Sequence, residues 1–152
     1  MAAWAVRAGL VGAGLAPFLP ALLADIPGLR SLAGPLAAWF RFQCERDPER
    51  MLALGAVCAR CLGLYVGLGS GALVARPRLR SPRHELWLAL SALAMLLDVA
   101  SEWAGLRPAS ALVRLVTGLA LGYPAGVAVV AGFSTWARSS TPTPTVVTQN
   151  PS

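Results

Sequence analysis

Three cysteines and a handful of charges stand out in a chain that is otherwise strongly apolar. Cys44 precedes a long apolar run, and the tetrapeptide Cys58-Ala59-Arg60-Cys61 lies inside it. A Cys-x-x-Cys pair on a helix puts two sulfurs one turn apart on one face, which suits metal ligation or thiol–disulfide chemistry. With Cys44 the set offers three thiolates. A carboxylate from Glu45 or Asp98, or a water, would complete a four-coordinate zinc or iron site. The odd number argues against a purely structural set of disulfides. The competing account is that cysteine is small and apolar and packs well inside helices.

Charge inside the apolar runs is the second signal. Arg60, Asp98, Glu102 and Arg114 fall within stretches that otherwise lack charge. A charged side chain at mid-depth in a bilayer costs about 2.5 kcal/mol or more, so it faces the bundle interior and pairs. Asp98 and Glu102 are four residues apart and share a helical face. Pairing Asp98 with Arg60 or Arg114 would neutralise buried charge, with Thr117 beside them one turn after Arg114. Two readings stand: structural ion pairs near the interface with snorkelling arginines, or a polar site that opens outward.

These residues need elements to hold them at one depth. Of 152 residues, 56% are hydrophobic and only 13% charged, about half the charge of a typical soluble domain. That balance argues against disorder for most of the chain and against a soluble enzyme. The expected fold is all-α, a polytopic membrane bundle of about four transmembrane helices, because a spanning helix needs roughly 20 mainly apolar residues. The expected spans are about 8–24, 52–75, 86–104 and 110–137. The first is the weakest, being short and holding Pro17 and Pro20. Ser31 to Phe40 is too short to cross and suits an interfacial or re-entrant piece between the first two spans. Residues 1–137 then form a single membrane-embedded domain, and the Ser/Thr/Pro-rich stretch 138–152 reads as a disordered tail.

Trp4, Trp39, Trp87, Trp103 and Trp136 all fall near the proposed ends, where an amphipathic ring prefers the headgroup layer. The first span also resembles a signal peptide. However, Leu22-Leu23-Ala24 is a poor match to a small-x-small cleavage site, so a retained span is favoured. All 13 basic residues are arginine, and they give the net charge of +6. Four of them, Arg76, Arg78, Arg80 and Arg83, crowd one loop, which the positive-inside rule places in the cytoplasm with both termini. Arg7 and Arg138 agree. Cys58, Arg60, Cys61, Asp98, Glu102, Arg114 and Thr117 then share the outer half of three helices. No stretch interleaves basic and aromatic residues, so nucleic acid is not an expected partner. The bilayer is, and beyond it a membrane partner or a homo-oligomer.

Gly63, Gly67 and Gly71 recur every four residues in the second span, and Gly118, Gly122 and Gly126 do so in the fourth. That spacing keeps small residues near one helix face, where backbones approach closely. Pro124 inside the second set is expected to bend its helix.

The stretch Cys44-Glu45-Arg46-Asp47-Pro48-Glu49-Arg50, followed by Val57-Cys58-Ala59-Arg60-Cys61-Leu62-Gly63-Leu64-Tyr65-Val66-Gly67, resembles a family of small prokaryotic membrane proteins, domain of unknown function 2085. That family reads Cys-His-Gln, then Pro-Glu-Arg-Ser, then Cys-Ala-Arg-Cys-Thr-Gly-x-Tyr-x-Gly. Asp98, Glu102, Arg107 and Arg114-Leu115-Val116-Thr117-Gly118 look like its later block. The likeness covers about residues 40–126, and Cys-Ala-Arg-Cys is its most specific part. It implies a multi-span membrane fold with one polar site, and draws Arg46, Glu49 and Arg50 into that site's surroundings. Glu45 and Arg46 stand where the family has histidine and glutamine. A site that used that histidine as metal ligand or proton carrier would here have to use Glu45. His84, the single histidine, lies in the predicted cytoplasmic loop and cannot substitute. Met51, Leu62, Val99 and Glu102 are further departures.

Two classes of function follow. One is an outward metal- or thiol-redox-active site of Cys44, Cys58 and Cys61, with Asp98, Arg60 and Arg114 orienting ligands and balancing charge. A narrower version is similar in layout to four-span thiol oxidases, but those need a second redox pair and only Cys44 remains. The other class is a non-catalytic membrane module whose motif residues stabilise the bundle or contact a partner. The metal- or redox-active site is the first reading and the module its alternative; enzymatic activity is not favoured in either, and no hydrolase triad, phosphate loop or zinc-protease helix is visible.

Overall fold

The structure, a computed structural model, describes residues 2–44, 56–75, 82–106, 108 and 110–139. Every regular element among them is helical: α1 (Ala2–Leu15), a 3-10 turn (Ala16–Phe18), α2 (Leu19–Ala24), α3 (Arg30–Gln43), α4 (Ala59–Val74), α5 (Pro82–Trp103) and α6 (Ala111–Ser139). Glu45, Arg46, Glu49, Arg50, Arg107 and most of the basic loop lie outside the described residues, as does the tail from residue 140.

Three helical stretches are long and apolar enough to cross a bilayer: Trp4–Ala24, Arg83–Trp103 and Ala111–Ala137. The first reaches that length despite its prolines. Pro17 and Pro20 lack the N–H that a helix interior uses, so the chain tightens into the 3-10 turn and then resumes as α2. Both rings are buried.

The second span departs from expectation. α4 has 16 residues, about 24 Å at 1.5 Å per residue, and starts at Ala59 rather than near residue 52. Cys58 is its N-cap, with extended backbone (φ −62°, ψ 158°). Ala56 and Val57 before it are buried but not helical. The Ala56 N–H donates to the carbonyl of Pro17 at 3.1 Å, so the proline turn of the first span supplies the acceptor that a helical turn would otherwise provide. Irregular backbone at such a position is tolerated when protein covers it and its polar groups are satisfied.

The architecture follows from where the small residues are. α4 and α6 run parallel and make the main interface of the bundle. A Cβ added at Gly63, Gly67 or Gly71 would come within 3.0 Å of the α6 backbone, and one added at Gly118, Gly122 or Gly126 within 3.0 Å of the α4 backbone. Both rows therefore interlock with each other, at backbone-to-backbone distances that only glycine permits. On the opposite flank α1 runs antiparallel to α4. There Gly14 meets Gly69, and a Cβ on Gly14 would lie 2.9 Å from the Tyr65 carbonyl. The Arg7 guanidinium donates to the Ala75 carbonyl at the end of α4. α4 is thus walled in by α1 and α6, which is why this apolar helix, shorter than the three that are long enough to cross, has so much of its surface buried.

α5 packs chiefly on α6 and leaves Leu90, Leu93, Leu96 and Leu97 exposed, the last two by 66% and 61%. Small residues inside and large aliphatic ones outside is the arrangement a lipid surrounding favours, since lipid tails solvate leucine as well as the interior does. α3, 14 residues with Pro35 inside it, packs against α2 and buries Phe40. It is too short to cross and lies between the first two spans in the chain.

Candidate functional site

The local fold at the head of α4 decides the sulfur geometry. Because Cys58 is the N-cap, its carbonyl accepts the Leu62 N–H at 2.9 Å and opens the helical ladder, while Cys61 sits in the first turn. The Cys-x-x-Cys pair therefore straddles a helix terminus instead of lying within a helix. Cys44 arrives from the other side as the extended residue that ends α3. The Cys58 N–H donates to Cys44 Sγ at 3.4 Å, a contact that ties the two segments at the sulfurs. All three sulfurs lie within 4.8 Å of one another, and all three cysteines are reduced thiols and half-buried.

The surroundings of this trio are apolar. Phe40, Ala56, Val57 and Leu62 form the buried cluster next to it, with Ala16, Phe18, Tyr65 and Leu115 packed around them. Phe40 meets Tyr65 edge to face at 6.1 Å between centroids. Cys61 also borders a recess of 330 Å³ with Val57, Leu64, Tyr65 and Leu68. The helix N-terminus at the sulfurs favours negative charge, and the apolar wall keeps water from competing for the donors. Burial pushes the Cys44 thiol above its ordinary pKa, and the neighbouring Cys58 thiol adds to the rise.

Arg60 carries the site across to a second cluster. Its backbone belongs to the Cys-x-x-Cys turn, but its side chain leaves toward α5. There Nη2 donates to Asp98 Oδ2 at 2.6 Å and to Glu102 Oε2 at 3.1 Å. Glu102 is held bidentately by Arg114, Nε to Oε1 at 2.8 Å and Nη2 to Oε2 at 2.7 Å. Thr117 donates to Asp98 Oδ2 at 3.3 Å. Asp98 and Arg114 are 6% and 4% exposed, and the four charges sum to zero. Two acids in the last turns of α5 oppose the negative end of their own helix dipole. They are compensated by the arginines and by the N-terminal turns of α4 and α6 beside them.

The sequence candidates therefore separate into two groups joined by Arg60. Cys44, Cys58 and Cys61 form the donor set, and Asp98 belongs with Arg60, Glu102, Arg114 and Thr117. Asp98 is not grouped with the sulfurs, and its Oδ2 is committed to Arg60 and Thr117. His84 lies at the far end of the bundle, where its Nε2 donates to the Pro124 carbonyl at 3.0 Å. The burial of Phe40, the acceptor role of the Pro17 carbonyl and the Gly14–Gly69 contact carry no marker in the sequence patterns above. Gly69 lies between Gly67 and Gly71 in the chain but on another face, and a second small-residue face on one helix is the signal that marks it.

Chemically, three soft thiolate donors converging from two chain segments fit a thiophilic ion such as Zn²⁺ or an iron ion. A family model described as "Predicted membrane protein (DUF2085)" matches residues 44–128, a stretch that contains every cysteine and every charge of the two clusters. Neither the curated proteins nor the solved structures contain a match.

Proposed function

The chain belongs to the predicted-membrane-protein family DUF2085, and from that premise we propose that it is a metal-binding protein of a prokaryotic plasma membrane. Cys44, Cys58 and Cys61 hold the ion, zinc or iron, at the outer face, and both termini are cytoplasmic. Glu45 or a water supplies the fourth donor. The observation that carries this reading is the convergence of three sulfurs within 4.8 Å from two separate segments. Cysteines used only as small apolar filler have no reason to meet in this way. Arg60, Asp98 and Arg114, with Glu102, serve the site by fixing the turn that carries two of the donors and by leaving no net charge beside it.

The second reading is a non-catalytic module in which the same residues only stabilise the bundle or meet a membrane partner or a second copy. The interlocked glycine rows and the neutral ion cluster favour it, because each accounts for helix packing without a ligand. One experiment separates the two. Elemental analysis of detergent-purified protein is expected to find about one zinc or iron per chain in the wild type and none in the Cys44→Ser/Cys58→Ser/Cys61→Ser variant. Equal and negligible metal in both would leave the structural module as the function.

A further inference from the structure

We propose that Asp98 and Glu102 act through Arg60 as a clamp on the Cys-x-x-Cys turn, so that metal occupancy and the placement of α5 are linked. The proposal rests on the metal-binding reading and adds to it two positioning residues and a responding element.

Arg60 stands between two of the donors in the chain, so a displacement of its backbone displaces Cys58 and Cys61 with it. Its guanidinium is anchored on α5 by two carboxylates, at 2.6 and 3.1 Å. Glu102 is in turn fixed to α6 by the bidentate Arg114, and Asp98 by Thr117. α6 thus acts as the reference, locked to α4 by the two glycine rows, and α5 is the element with freedom. It packs chiefly on α6, shows most of its large side chains to the outside, and meets α4 through Arg60 at the sulfur end.

Metal ligation depends on donor positions to a few tenths of an ångström, and groups that orient the donors govern affinity nearly as strongly as the donors do. In apolar surroundings the Arg60 ion pairs are strong and directional, so they can impose such a position on the turn. Thermodynamic linkage makes the effect mutual. If the clamp favours metal binding, bound metal must favour the clamped arrangement of α5 by the same factor. α5 begins at the basic loop, at the opposite end of the bundle from the sulfurs, so its placement carries the occupancy of the site along the length of the helix.

The test uses the full-length protein in lipid nanodiscs, with Zn²⁺ as the probe. Arg60→Met/Asp98→Leu removes one charge of each sign and leaves the Glu102–Arg114 pair intact, so no buried ion is stranded. This variant is expected to bind Zn²⁺ about 10- to 100-fold more weakly than wild type in chelator competition, with unchanged stoichiometry. In wild type, Zn²⁺ is expected to raise amide-exchange protection over residues 98–106, and in the variant it should not. Asp98→Asn, which leaves Glu102 on Arg60, should fall between the two and carries the comparison if the double variant fails to fold. Wild-type affinity in a folded variant, or equal protection of α5 with and without Zn²⁺, overturns the clamp. If wild type itself binds no Zn²⁺, the metal reading fails separately. The clamp is then judged on maleimide alkylation of Cys58 and Cys61 in the metal-free protein, with faster labelling in the double variant supporting it and equal rates refuting it.

Discussion

Protons compete with a metal for thiolate donors, and the burial of Cys44 sharpens that competition. A thiol held above its ordinary pKa is protonated throughout the neutral range, so a metal must displace that proton to bind. The sign is therefore fixed: apparent Zn²⁺ affinity should rise with pH, by up to about tenfold per unit for each proton released. Chelator competition at about pH 6 and about pH 8 measures it, and a flat profile would contradict thiolate ligation. The chemistry of these residues was legible in the sequence because charged side chains are costly in an apolar span unless paired, and because two cysteines stand at Cys-x-x-Cys spacing beside one of them. The position of Cys58 was not. Cysteine has no marked preference for the N-cap, and Ala56-Val57-Cys58 reads equally well as helix. Only the bond from Ala56 to Pro17, some forty residues earlier, shows why the helix waits until Ala59.

Among the elements, α4 and α6 carry the bundle. Their glycine rows make a specific expectation. Gly122→Leu would drive a side chain into the Leu64 backbone and should cost about 1–3 kcal/mol, seen as a lower melting temperature in detergent. Gly132→Leu on the same helix meets nothing within 4 Å and should leave the melting temperature unchanged. Equal effects would mean that the rows do not hold the helices. The four-residue spacing marked these faces in the sequence, but spacing says nothing about which helix lies opposite. The length of α4 was overestimated for a related reason. Hydropathy counts residues and not backbone conformation, and Ala56 and Val57 are apolar because they are buried with Phe40, not because they continue a helix.

At the scale of the molecule, the described helices give the bundle two chemically different ends. The sulfurs and the ion cluster gather at one. Arg7, the end of α4, His84 and the start of α5 gather at the other. The positive-inside rule predicts that the second end faces the cytoplasm. A membrane-impermeant maleimide should therefore label Cys61 in intact cells when Cys44 and Cys58 are serine and the site is metal-free. It should reach a Ser81→Cys probe in a cysteine-free background only after permeabilisation. The reverse pattern would invert the topology.

The sequence by itself determined the surroundings and the ingredients. A chain with 13% charged residues and long apolar runs belongs in a bilayer, and the few charges within those runs must meet one another there. It also carried the Cys-Ala-Arg-Cys segment that marks the family. The tertiary structure decided the assignments. Asp98 pairs with Arg60 while Glu102 joins Arg60 to Arg114, and Cys44 comes to the head of α4 across fourteen residues of chain. The physical reason is range. Hydropathy and helical spacing act over one or two turns, whereas the joining of Arg60 and Arg114 through Glu102 depends on how closely α4 and α6 approach, and glycines 55 residues apart in the chain fix that distance.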